Sequence, residues 1–305
     1  MTKLELIRLY LNKHWRFLAF NVAFVFAFFG PLWDLASISY RSDTFSYIPF
    51  TPFISAYLVY INRQAIFSHK RSSPAAGLMT IGIGIVILSF TSELIAALDD
   101  DYISPIALSM VLIWIGGFAL CYGTRSLSAA ALPLLILFFM VPIPAMALDR
   151  IISILQTGST MAAYGFLKVA GVPTVRDGYV FHLPTLSIEV AKECSGIRSA
   201  LSLLITALMA GHFFLRTGWS KFTLLLAIVP ITILKNGFRI AVLSILGVYV
   251  DERILGSELH RNGGFLFFIL ALLLLWAVIA LLRKAEERLQ RGTESHILAE
   301  KADEP

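Results

Sequence analysis

Apolar runs of about 20 residues, the length that a hydrocarbon core of roughly 30 Å demands of a helix, recur along most of residues 15–283. Short polar segments separate them. The pattern predicts spans at 15–33, 49–62 with a few further residues, 76–97, 103–122, 127–144, 196–215, 222–249 and 263–282, which makes about eight. Residues 150–171 are long enough for a ninth, but Gln156, Thr157, Ser159, Thr160 and Lys168 interrupt the apolar face. They are read as one helix lying in the interface. Between 172 and 194, Val175 to His182 forms β-prone runs around Asp177-Gly178, and Leu186 to Val190 alternates with period two. A small β-hairpin before the sixth span is expected there. The fold class is therefore an all-α polytopic membrane protein with one interfacial helix and a small outer hairpin.

Composition agrees with that class. Of 305 residues, 57% are hydrophobic and 15% charged, outside the usual balance of a soluble domain. The first apolar run follows Lys3, Arg8, Lys13 and Arg16 without a small-residue cleavage site, so it is read as a retained helix. Residues 1–283 form a single transmembrane domain. Residues 284–305 form a charged cytoplasmic tail, expected to be disordered beyond Glu286.

Charge sets the orientation. Arg63, Lys70 and Arg71, then Arg125, then Arg216 and Lys221, then Arg283, Lys284 and Arg288 occupy alternate connections and belong inside. The intervening connections carry Asp34 and Asp43, then Asp99 to Asp101, then Asp251 and Glu252, and belong outside. A crossing at 150–171 would break this alternation. Both termini are thus expected on the inner side of the membrane, with residues 172–194 facing outward.

Two cysteines fall at opposite membrane faces, Cys121 inside and Cys194 outside, which excludes a disulfide between them. Cys and His do not cluster at ligand spacing, and no glycine-rich phosphate loop occurs. No metal, cofactor or nucleic acid is implied. Cys194, in Glu193-Cys194-Ser195-Gly196, stands where a polar outer segment meets an apolar helix. A thiol in a first helical turn meets free N–H groups and the positive end of the dipole, a setting that activates a nucleophile. Arg198, four residues on, adds positive charge on the same face. The plainer account of Cys194 is a small, half-buried helix-end residue.

Arg239 lies inside the apolar run 227–250, where a guanidinium costs about 2.5–3.5 kcal/mol even on a lenient insertion scale. Twelve residues, roughly 18 Å, separate it from Asp251, and eighteen, roughly 27 Å, from Lys221. It belongs to the outer half and should face a polar cavity. Asn236 shares its helix face, and Lys235 is a weaker candidate for the same cavity; pairing of Arg239 with a helix neighbour is the alternative. His260 opens the last span, and an imidazole there can take a thiol proton and return it to a leaving amine. It can equally be a solvated loop residue, and His182 is the rival base. His14, His69, His212 and His296 fall on the inner side.

Three blocks carry a family resemblance: Glu193 to Ser199 with Cys194, Ser195, Gly196 and Arg198; Asn236-Gly237-Phe238-Arg239-Ile240; and His260-Arg261-Asn262-Gly263-Gly264. Together with Trp33-Asp34 through Tyr47 and Arg63, and Phe139 to Pro144, they resemble the exosortase/archaeosortase family over about residues 30–282. The resemblance implies a cysteine-type peptidase or transpeptidase, similar to sortase in chemistry and not in fold. Its substrates would be exported proteins that end in a short Pro-containing motif, one transmembrane helix and a basic cluster. Cys194 would be the nucleophile, Arg239 the carbonyl or oxyanion stabiliser and His260 the general acid/base. The histidine favours the bacterial exosortases. Hydrolysis and transfer to a polysaccharide or other envelope acceptor both stay open, as does which of Arg198 and Arg239 meets the thiolate. Two other classes are weighed: a polytopic transporter holding an anion on Arg239, and an exopolysaccharide assembly factor; Glu93 in the third span is a charge a transporter could use, but its placement at the outer end beside Asp99 is the favoured reading.

Overall fold

The computed structural model describes residues 3–68, 73–98, 102–251, 253 and 264–302, and the side chains of that set within 14–91 and 102–291. The chain divides into two compact units, Met1–Ala145 and Met146–Pro305.

In the first unit, α1 (Lys3–Ala27) is followed by α2 (Phe29–Arg41), bent from it by 70°. The break falls at Phe28, whose φ of −111° and ψ of 23° leave the helical region. The expected span 15–33 therefore ends as a straight helix at Ala27. Two 3-10 turns, Asp43–Phe45 and Ile48–Phe50, lead into α3 (Thr51–Ile61) and the short α4 (Arg63–Phe67); α5 (Pro74–Leu98), α6 (Ile103–Ala129) and α7 (Ala131–Leu137) follow. α5 and α6 cross closely: a Cβ on Gly116 would sit 2.8 Å from the Gly77 carbonyl oxygen. Small residues let helix backbones approach where lipid gives little hydrophobic drive for association. Phe17, Trp114, Phe118 and Tyr122 interlock edge to face around the core of this unit. The expected span 127–144 is broken too. α7 and its 3-10 extension stop at Met140, ahead of Pro142 and Pro144, which donate no backbone hydrogen bond.

The second unit opens with α8 (Ala145–Val169), which begins five residues before the helix expected at 150–171 and runs unbroken past its polar positions. The outer segment then forms three strands, β1 (Val175–Asp177), β2 (Val180–His182) and β3 (Ser187–Glu189), in the antiparallel order β1-β2-β3. The expected hairpin is thus β1–β2 with a third strand added. Its Asp177-Gly178 turn places Gly178 at φ 57°. The sheet is tied down by Phe181, fully buried among Ala163, Leu167, Val190, Ile240 and Ala241. Two polar contacts hold it to α8: Gln156 Nε2 donates to the Val190 carbonyl at 2.6 Å, and Thr157 Oγ1 and the Tyr179 hydroxyl lie 3.0 Å apart.

A 3-10 turn, Lys192–Ser195, joins the sheet to α9 (Ile197–Phe214), and α10 (Gly218–Tyr249) and α11 (Gly264–Ala302) complete the unit. α9, α10 and α11 pack through Leu203, Ala207, Leu224, Ile228, Ile231, Ala271 and Leu275. The tail expected to be disordered continues as α11 to Ala302. Its Ala, Glu, Arg, Leu, Gln and Lys are strong helix formers, and no Pro interrupts them. Among the described residues six helical stretches are long and apolar enough to cross a membrane, or up to eight if two broken pairs each count as one crossing. The broken pairs are His14–Ala27 with Phe29–Arg41, and Ala131–Met140 with Ala145–Val169.

Candidate functional site

The site is built on the short connection between β3 and α9. Cys194 does not lie in the first turn of α9. It sits two residues before the N-cap, in the separate 3-10 turn, with its own N–H donating to the Ala191 carbonyl at 3.0 Å. Gly196 is the reason. Its left-handed conformation, φ 85° and ψ 10°, ends the turn and restarts the chain as α9, which only a residue without a Cβ does at little cost. The expected dipole argument, which required Cys194 to be helical, therefore does not carry over.

Two adjacent residues of α10 reach this turn. Asn236, fully buried, donates from Nδ2 to the Cys194 carbonyl at 2.6 Å. Lys235, 3% exposed, donates from Nζ to Ser199 Oγ at 2.6 Å, and Ser199 Oγ donates on to the Gly196 carbonyl at 2.8 Å. Gly196 and Asn236 are so close that a Cβ on the glycine would stand 3.1 Å from Asn236 Cγ. α10 is held at its own start by Glu286 of α11, whose carboxylate accepts from the Arg216 and Thr217 N–H groups at 3.2 and 2.9 Å and from the Thr217 hydroxyl at 2.6 Å.

Cys194 and Arg239, both half-buried, line one cavity with Asn236, Ile240, Leu243 and Ser244 of α10 and with Ile188, Glu189 and Val190 of the sheet. At about 40 Å³, it has room for a few water-sized groups and not for a peptide. Asn236 Oδ1 and Ser244 Oγ are buried at this site without a hydrogen-bond partner among the described residues. Ser195 is also fully buried.

The structure thus brings together Cys194, Asn236 and Arg239, with Gly196 as hinge. Glu193 and Arg198 are exposed, and Arg198 is not part of the cavity wall. The guanidinium beside the thiol in that wall is Arg239. His260 lies outside the described residues, as do Arg261, Asn262 and Gly263, and the side chain of Glu93. The rival base His182 is exposed, with Nδ1 2.9 Å from Ser187 Oγ, and does not line the cavity. Sequence reasoning missed Glu189 and Ser244 in the wall, and Ser199 as the link to Lys235. Ser199 stands three residues after Gly196, a spacing at which a hydroxyl reaches back to a carbonyl. Nothing local in the sequence marks the other two.

A bundle of apolar helices with a small sheet that folds a thiol and a guanidinium into one buried cleft defines a multi-pass membrane protein with a polar site. The transmembrane exosortase family model matches residues 33–277, and the chain belongs to that family. No curated protein and no solved structure matched it.

Proposed function

We propose that this exosortase is a membrane cysteine peptidase or transpeptidase that cleaves the C-terminal sorting signal of exported proteins through a thioester at Cys194. The observation that carries the reading is that Cys194 and Arg239 share one cavity wall while Asn236 grips the Cys194 carbonyl. Because the cavity is small, only the scissile carbonyl of a substrate enters it, and the peptide lies along the mouth.

In this mechanism the Cys194 sulfur attacks that carbonyl carbon, and its proton passes to His260, the role the family pattern implies. Arg239 donates to the oxyanion as it forms. Collapse of the tetrahedral adduct breaks the C–N bond, and His260 returns the proton to the departing amine. Water or an acceptor amine or hydroxyl of the envelope then opens the thioester. The substrate's anchor helix, lying in the same bilayer, limits the encounter to two dimensions and fixes the depth of the scissile bond. The charge alternation along the sequence supports an outward-facing site in the cytoplasmic membrane with both termini inside.

The test is co-expression of the full chain with a secreted reporter that ends in a Pro-containing motif, a transmembrane helix and a basic cluster. The wild type trims the reporter and forms a hydroxylamine-sensitive adduct with it; Cys194→Ser does neither. A second reading, a transporter binding an anion, draws on the buried Lys235 and the half-buried Arg239. It requires that Cys194→Ala keep full function while Arg239→Ala loses it.

A further inference from the structure

We propose that Lys235 is a positioning residue for the nucleophile, acting through Ser199 on the turn that presents Cys194; this rests on the proposed cysteine chemistry. The segment is a single 3-10 turn, held within itself by the Cys194 N–H to Ala191 carbonyl bond, so its position depends on what grips its carbonyls. Asn236 takes the Cys194 carbonyl directly. The Gly196 carbonyl receives the Ala200 N–H at 3.0 Å and the Ser199 hydroxyl at 2.8 Å. That hydroxyl has one proton to give. Lys235, donating to the same oxygen at 2.6 Å, occupies its acceptor side and so directs the proton toward Gly196.

The burial of Lys235 argues for a role of this kind. At 3% exposure the ammonium has given up water, and among the described residues its only hydrogen-bond acceptor is Ser199, with no carboxylate within ion-pairing distance. A Met or Leu of similar volume would fill the space without that desolvation cost. What the lysine adds over them is the donor to Ser199. Successive residues of a helix are turned by about 100°, so Lys235 and Asn236 approach the turn from two directions, while Arg239 follows four and three residues later on the same side. One stretch of α10 thereby sets both the carbonyl grips and the cavity guanidinium, and the position of Cys194 relative to Arg239 is fixed by a single rigid element.

The experiment measures reporter processing by the full chain carrying Lys235→Met, Ser199→Ala, or both, beside Cys194→Ser, with thermal unfolding in detergent as the check on folding. A displaced turn lowers kcat by about tenfold to a hundredfold, the scale of a misplaced reacting group, with KM unchanged. Because the lysine acts through the serine, the double variant is no slower than the worse single one. Lys235→Arg, which keeps a donor, recovers part of the rate. Wild-type kcat in Lys235→Met, or losses that multiply in the double variant, overturns the positioning role and leaves the proposed function intact. Processing by Cys194→Ser overturns the function itself. If Lys235→Met does not fold, Ser199→Ala alone decides: it shows the same kcat loss at unchanged KM, or the relay is wrong.

Discussion

Asn236 Nδ2 donates to the main-chain carbonyl of Cys194 at 2.6 Å, across 42 positions of sequence. The bond joins the 3-10 turn of the β3–α9 connection to the middle of α10. It makes the location of the thiol a property of helix packing, since neither segment alone defines it.

Replacing Asn236 by Leu is expected to preserve the fold at a cost of about 1 kcal/mol for a lost hydrogen bond, and to lower reporter processing by about tenfold or more through displacement of the turn. Steady-state kinetics on detergent-purified protein, paired with its melting temperature, separate the two effects. A variant with normal turnover removes Asn236 from the site.

Gly196→Ala is expected to be worse than a surface change. The residue must take φ 85° with a Cβ 3.1 Å from Asn236 Cγ, and left-handed strain alone costs of order 1–2 kcal/mol. Both a lower unfolding midpoint and slower processing are expected. Gly178→Ala, also left-handed at φ 57° but with nothing within 4 Å of an added Cβ, should lose stability and keep its turnover.

Labelling separates the two thiols, neither of which is in a disulfide. In intact cells a membrane-impermeant maleimide added outside should modify Cys194 in a Cys121→Ser background and leave Cys121 unmodified in a Cys194→Ser background. The reverse pattern would place the site on the other face and end the proposed orientation.

Glu286→Ala removes the carboxylate that accepts three donors at the start of α10. Arg216 and Thr217 are exposed, so their donors turn to water and the loss is that of the hydrogen bonds themselves, about 1 kcal/mol each. The melting temperature should fall while kcat of the surviving protein holds, because the contact lies at the start of α10, several turns before Asn236 and Arg239.

Much of the fold was legible because a membrane span is a local sum: twenty apolar residues in a row announce a helix whatever they pack against. The spans at 76–97, 103–122, 196–215, 222–249 and 263–282 needed nothing more. The breaks at Phe28 and before Pro142 were harder to read, since apolar composition continues through them and only backbone geometry changes. The tail beyond Glu286 was misread because its charge suggested disorder, while its residue types favour helix.

The blocks around Cys194 and around Asn236 with Arg239 could be picked out from the chain alone; the His260 block lies outside the described residues. A guanidinium in an apolar run is costly, and cost is visible residue by residue; a thiol there is not, and Cys194 was marked by its position and by the family resemblance of its block. What only the tertiary structure decided is how those groups face one another: that Cys194 stands outside α9, that Arg239 and not Arg198 shares its cavity wall, and that Lys235 reaches the turn through Ser199. Hydrophobic pattern sets which helices form. The meeting of particular side chains depends on how α8, α9 and α10 rotate and slide against each other, and that is settled by close packing over the whole bundle, which no single segment encodes.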